Sequence, residues 1–239
     1  MIHPKVAAPF AVLVASVLLA TSALAQSAAT AATAASPGTT ALDMLFEKKH
    51  LGNLEVGHKL TYRFTRDPSK PELLGLGFSD DITVDIKKVA TDGTREVDVR
   101  VYTGDRARDP QIIDGLTGNP ILVVFLDRSV SSYMAVAGGK VPYLKERFRS
   151  ALRDRPTLEP VKVKIGDRTV DATRITIQPY VGDPNASKML GFENSKFSIV
   201  VSEAVPGHFI ELVANIDNSI KDAPKLVERI VMAGTEVVK

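Results

Sequence analysis

Apolar and polar positions along the chain repeat with two different periods. In residues 59–66, KLTYRFTR, Leu60, Tyr62 and Phe64 alternate with Lys59, Thr61, Arg63 and Thr65. A period of two puts the first set on one face of a half-buried strand. Residues 81–89 repeat the pattern with Ile82, Val84 and Ile86 inward, and Asp92-Gly93 predicts a hairpin turn. Residues 95–103 return with Val97, Val99 and Val101. Further on, Val161, Val163 and Ile165 open another strand, Gly166-Asp167 turns it, and residues 169–178 come back with Ile175 and Ile177 inward. Alternation fails between Ala172 and Arg174, which predicts a bulge. Residues 196–203 and 208–215 form a third hairpin around Val205-Pro206-Gly207.

Between the strand groups the period lengthens. In residues 119–138, Leu122, Phe125, Leu126, Ser129, Tyr133 and Val136 follow helical spacing. Asn119 suits an N-cap, Pro120 the first helical position, and Gly138-Gly139 a left-handed stop. The β-branched Ile121, Val123 and Val124 would also fit a strand, but the start and stop signals favour the helix. A second helix runs from near Pro142 to Asp154, with Leu144, Phe148 and Leu152 as its buried stripe. A short amphipathic helix over 41–51, capped by Thr40 and stopped by Gly52, would bury Leu42, Leu45 and Phe46. Residues 67–79, 104–118 and 179–195 read as loops, the last with a helical turn at Asp183-Pro184; 224–238 fits either helix or strand. The expected fold is α+β: a curved antiparallel half-barrel sheet of seven to eight strands with an inserted helical hairpin on its concave face.

Composition then locates the chain. Residues 1–25 have a signal peptide's layout: Lys5, the apolar run AAPFAVLVASVLLATSA, and Ala23-Leu24-Ala25 before Gln26. A membrane anchor is the rival, but no positive stop-transfer cluster follows. Residues 26–40, QSAATAATAASPGTT, are an uncharged spacer of disordered composition, and 41–239 suit a single domain. The expected location is the periplasm of a Gram-negative bacterium. With no cysteine in the chain there is no lipobox, disulfide or thiol chemistry. A net charge of +2 over 239 residues is too balanced for a nucleic-acid partner.

Candidate chemistry is sparse. His50, His58 and His208 lack metal spacing and read as surface or turn residues. No G-x-S-x-G elbow occurs, Gly138-Gly139-Lys140 lacks the rest of a P-loop, and Gly75-Leu76-Gly77 lacks the third dinucleotide-loop glycine. The sequence nominates no catalytic residue, cofactor or metal ligand. Lys145, Arg149 and Arg153 stack at a spacing of four on the second helix. They form either a solvated face or a surface for anionic lipid headgroups or an acidic partner.

An exported cysteine-free chain, a meander of long alternating strands and helices inserted mid-chain together resemble the half-barrel periplasmic lipoprotein carriers of the Lol type. The phrases NPILVVFLDRSV, GGKVPYLKERFRSAL and VVSEAVPGHFIEL are similar to uncharacterised exported proteins of α-proteobacteria. The first resemblance implies a curved sheet plugged by helices, with acyl chains held in the cavity; no site residue transfers by motif. The expected function is a periplasmic, non-enzymatic binding or carrier protein for an apolar ligand, a lipid or acyl chain. Its cavity residues would be Tyr62, Phe64, Leu122, Phe125, Tyr133, Met134, Tyr143 and Phe148, each of which also has a plain role as core. The alternatives are an envelope interaction or scaffolding module without small ligand, and a hydrolase pairing His208 with a carboxylate. An anionic membrane surface or an envelope protein is the expected macromolecular partner.

Overall fold

A computed structural model describes residues 40–238 of the chain. The expected signal peptide and all of the spacer but Thr40 lie outside the described residues. Ten strands make one antiparallel sheet: β1 (Lys59–Pro68), β2 (Phe78–Val89), β3 (Arg95–Val101), β4 (Gln111–Leu116), β5 (Thr157–Ile165), β6 (Arg168–Ile177), β7 (Lys196–Val201), β8 (Phe209–Ile216), β9 (Leu226–Met232) and β10 (Thr235–Val238). A single helical turn, α1 (Pro71–Leu74), links β1 to β2. The helix pair, α2 (Ile121–Ala137) and α3 (Val141–Asp154), lies between β4 and β5 in sequence and packs on β8 and β6.

The strand order is β10-β5-β6-β7-β8-β9-β1-β2-β3-β4. Only Ala233 and Gly234 join β9 to β10, yet β10 pairs with β5 at the far edge. The link can span roughly 10 Å, whereas the five intervening strand spacings would put the two strands about 24 Å apart in a flat sheet. Strands β5 to β9 therefore roll up. Their inside is a small second core of Val163, Ala172, Val200, Val205 and Ile210. The main core lies on the other face, where Tyr62, Phe64, Ile82, Val84, Phe197 and Leu212 meet the helix pair.

The two cores explain where the sequence pattern misleads. Strand β6 pairs with both neighbours without a register shift, so the expected bulge after Ala172 is absent. Instead Val170 and Ala172 face the second core, and Ile175 and Ile177, further along the same strand, face the first. A strand that changes buried faces breaks alternation without breaking its ladder. Shifts occur at Ile86/Lys88, Arg95/Val97 and Val200/Val201.

Other expectations change in detail. The strand count exceeds the expected seven to eight, because β4 lies in the stretch read as a loop and 224–238 forms β9 and β10. Strand β4 escaped notice because it is an edge, with Ile112 71% exposed and a glycine inside, and so carries no alternation. The N-terminal helical turn covers Asp43–Glu47 and ends well before Gly52. Thr40 does cap it: Thr40 Oγ1 accepts the Asp43 N–H at 3.1 Å and Asp43 Oδ2 accepts the Thr40 N–H at 2.8 Å. Leu45 is buried there, but Phe46 is exposed. The turn expected at Asp183-Pro184 forms slightly later, at Ala186–Lys188.

Candidate functional site

The layer between the helix pair and the sheet holds most of the residues expected to line a cavity. Tyr62, Phe64, Leu122, Phe125, Tyr133 and Phe148 are all buried in the main core. Phe148 meets Phe197 edge-on, with ring centroids 4.7 Å apart. Met134 is 37% exposed on the outer side of α2, and Tyr143 is half-buried. The layer is closed, and none of the eight lines either of the two surface clefts described below.

Its polar content is unusual for a core. Tyr133 on α2 stacks on Tyr180 of the β6–β7 loop, with centroids 4.0 Å apart and planes 28° from parallel. Both rings are fully buried, yet among the described residues neither hydroxyl has a hydrogen-bond partner, nor has the buried hydroxyl of Ser129 one helical turn before Tyr133. Burial, with nearby negative groups, pushes both phenols well above the ordinary tyrosine range.

Beside them the β6–β7 loop fastens α3. Tyr143 donates to Asp183 Oδ1 at 2.6 Å, Asn185 N–H donates to the same oxygen at 2.7 Å, and Arg147 Nε approaches Oδ2 to 2.7 Å. That last contact is an ion pair too far off line to count as a hydrogen bond. Burial would raise the Asp183 carboxyl, but these partners outweigh it and hold it below the usual range.

A buried charge group sits at the other end of the layer. Glu228 on β9 occupies an inward position between Leu226 and Ile230. Arg66 of β1 and Arg128 of α2 both donate to it, Arg128 through Nε and Nη2, and Ser132 adds a bond at 2.8 Å. Burial works against the charge on Arg128, but the Glu228 carboxylate more than restores it, so its pKa is raised. Arg128 also lies over the Phe64 ring at 5.3 Å. On its outer side it lines a cleft of about 210 Å³ with Val99, Val101, Tyr102, Arg108 and Val123. The sequence held a signal for Glu228, since reading 224–238 as a strand places a carboxylate on the apolar face. The pairing of two arginines with it had none, because the three residues come from distant elements.

A second cleft of about 420 Å³ opens where the two cores meet, lined by His50, His58, Lys59, Leu60, Glu203, His208 and Met232 among others. Contrary to the surface reading, His50 is 2% exposed. Its Nε2–H donates to the Met44 carbonyl at 2.9 Å, which fixes the ring's orientation and its tautomer. Its ring meets that of His208 edge-on at 5.2 Å. His208 is half-buried with φ 62°, and its ring has no hydrogen-bond partner among the described residues. Burial lowers the pKa of both imidazoles. Glu203, the nearby carboxylate, is held by Lys48 at 2.7 Å, and the cleft lining contains no serine, threonine or cysteine. Asn119 is bonded to Gly207 of the lining: Nδ2 donates to Tyr62 OH and the Gly207 carbonyl, and Oδ1 caps α2 at the Ile121 N–H. No group of three or more histidine, aspartate or glutamate side chains among the described residues is placed to hold a metal.

The expected basic stripe is exposed and paired. Lys145 contacts Asp127 at 2.6 Å, Arg149 contacts Glu146 at 2.6 Å and Arg153 contacts Asp154 at 2.8 Å.

No protein-family model matches the chain, and no curated protein does either. Among solved structures, the chain is similar to MucB in its complex with MucA(peri), at 9% identity and a TM-score of 0.37, over 83% of this chain and 55% of that one. It thus spans little more than half of that neighbour's length. It is also similar to the lipoprotein LppX of Mycobacterium tuberculosis, at 11% identity and TM-score 0.28, over 74% and 85% of the two chains. A third is a LolA superfamily protein of Nitrosomonas europaea, at 9% identity and TM-score 0.22, over 84% and 95%.

Proposed function

We propose that this chain is a non-enzymatic binding or carrier protein of the cell envelope that takes an apolar ligand, a lipid or acyl chain, between the curved sheet and the helix pair. The observation that carries this reading is the set of buried hydroxyls of Ser129, Tyr133 and Tyr180 without partners in that layer. An unpaired buried hydroxyl costs about 1–3 kcal/mol, so the closed layer is not the best arrangement these residues could make. Separation of the helix pair from the sheet would expose an aromatic surface, including Phe125, Tyr133 and Phe148, together with hydroxyls ready for a ligand's polar group. Tyr62, Phe64 and Leu122 extend that surface, with Met134 and Tyr143 at its edges. The stripe of Lys145, Arg149 and Arg153 would face an anionic membrane during transfer.

A second reading is an envelope interaction module that binds no small molecule. The closed packing of the main core favours it, since six of the eight proposed cavity residues are buried there.

The test is native mass spectrometry of the purified protein after incubation with oleic acid and with phosphatidylglycerol vesicles. The carrier reading expects a stoichiometric adduct of lipid mass, weakened in Phe148→Asp and Tyr133→Phe and retained in Lys59→Ala, with folding checked by circular dichroism. An apo mass under both conditions would move the assignment to the interaction module.

A further inference from the structure

The cleft beside α2 joins two unlike surfaces. One wall is aliphatic, with Val99 and Val101 from β3 facing Val123 and Val124 from α2. At its end stand two guanidiniums, Arg108 and Arg128. Arg128 uses Nε and Nη2 on Glu228, and its Nη1 makes no hydrogen bond among the described residues. Arg108 forms no ion pair among the described residues; it lies 5.8 Å over the Tyr102 ring.

The charges here do not cancel. Arg66 and Arg128 share the single carboxylate of Glu228, leaving one positive charge in a half-buried place. Asp80 accepts the Thr103 N–H and hydroxyl and the Asp81 N–H, and forms no ion pair with either arginine among the described residues. Asp127 is taken by Lys145, and Asp109, exposed in the same lining, offsets Arg108 in number. The surplus on the Arg66–Glu228–Arg128 group thus has no contacting counter-ion beyond Glu228 among the described residues. A charge kept out of water without one is costly, and an anion that accepts from a free guanidinium edge removes the cost.

We propose that this cleft receives the anionic head of an amphiphile, a carboxylate or phosphate ester, at Arg108 and Arg128, with the first carbons of its chain along the valine wall. The inference rests on the apolar-ligand reading and names the ligand class for it. The cleft accommodates a head and a short length of chain. Val99, Val101 and Val124 also pack into or against the main core, so the remainder of the chain leads towards the layer under α2.

The experiment is calorimetric titration of the purified protein with decanoate, decyl phosphate and decanol, each below its micelle concentration. The expected result is that both anions bind about tenfold or more tightly than decanol, with the preference shrinking at high salt. Arg108→Gln should remove most of that preference and leave decanol binding unchanged. Arg106→Gln, the same change of charge on a residue outside the cleft, should preserve it. Tighter binding of decanoate would identify a free fatty acid as the ligand type, and tighter binding of decyl phosphate a phospholipid-like head. Equal binding of decanol and the anions, or equal effects of the two variants, would overturn the headgroup site while leaving the carrier reading intact. Binding of none of the three probes would overturn the carrier reading itself.

Discussion

Removing the hydroxyl of Tyr180 or Tyr133 should make the protein more stable. The phenyl ring left behind retains the stacking pair at 4.0 Å. What disappears is a hydroxyl that is solvated in the unfolded chain and has no partner among the described residues of the folded one. Its desolvation costs about 1–3 kcal/mol, and taking the lower end to allow for local relaxation gives a gain of about 1 kcal/mol for each single variant. For a folded part of this size that is a rise in Tm of roughly 2–4 °C. The two gains should not add fully, since the rings touch. Tyr143→Phe is the internal control, because it makes the same chemical change at a hydroxyl that donates to Asp183 at 2.6 Å and accepts from Asn185 at 3.0 Å. A bond to a charged group is worth about 1.5–3 kcal/mol, so this variant should lose stability. Urea titrations followed by circular dichroism would measure all three. Losses at Tyr133 and Tyr180 as large as that at Tyr143 would refute the reasoning, for they would mean that both hydroxyls are satisfied. On the carrier reading, the stabilised variants should also bind ligand more weakly, which is the expected trade between a relaxed fold and a poised site.

Further outcomes follow from individual residues. In Gly207→Ala the new Cβ would lie 2.5 Å from Leu60 Cδ1 and 2.7 Å from Asn119 Nδ2, at φ +72°; a loss of about 2–4 kcal/mol is expected in urea unfolding. Gly166→Ala, at φ +56° with nothing within 4 Å, should lose only about 1–2 kcal/mol by the same assay. Glu228→Gln would leave Arg66 and Arg128 without a counter-charge and should cost about 3–5 kcal/mol, read from the shift in the urea midpoint. His50 and His208 have folded pKa values below the ordinary 6.5, so the unfolded chain binds protons more readily. The stability they allow is complete above about pH 6.5 and is lost as the pH falls below it towards the folded values. His208 faces His50, Glu203 and Lys48, and His208→Asn should flatten the stability profile between pH 7 and 5 measured by thermal unfolding.

The hairpins and the helix pair were legible in the sequence because each is specified locally. Asp92-Gly93, Gly166-Asp167 and Gly138 mark turns and stops, and Asn119 caps α2 through its Oδ1. What was hidden depends on distant parts of the chain. Strand β4 is an exposed edge without alternation, and β9 lies in a stretch whose spacing fits helix or strand. The irregular stretch of β6 records two cores on opposite faces, which no single periodicity describes. At the site, helical spacing found Tyr133 and Phe148, and alternation found Tyr62. Tyr180 and Asp183 lie in a loop with no period at all, so their role in holding α2 and α3 could not be read in advance. His50 misled for a related reason: it sits in an irregular segment, and Met44, Asn119, His208 and Phe209, most of them distant in the chain, enclose it.

The two-residue join between β9 and β10 also bears on when the protein can fold. Strand β9 is the sole bridge between β8 and β1, and it pairs Tyr62 with Met232, across most of the folded chain. Strand β10 then latches β5, with Val163 opposite Val237. Neither the roll nor the main sheet can close until residues 226–238 arrive. Loop closure on this scale is slow, and incomplete forms expose sheet edges. With the closing strands after all the others in the sheet, the chain stays open until residues 226–238 are free to pair.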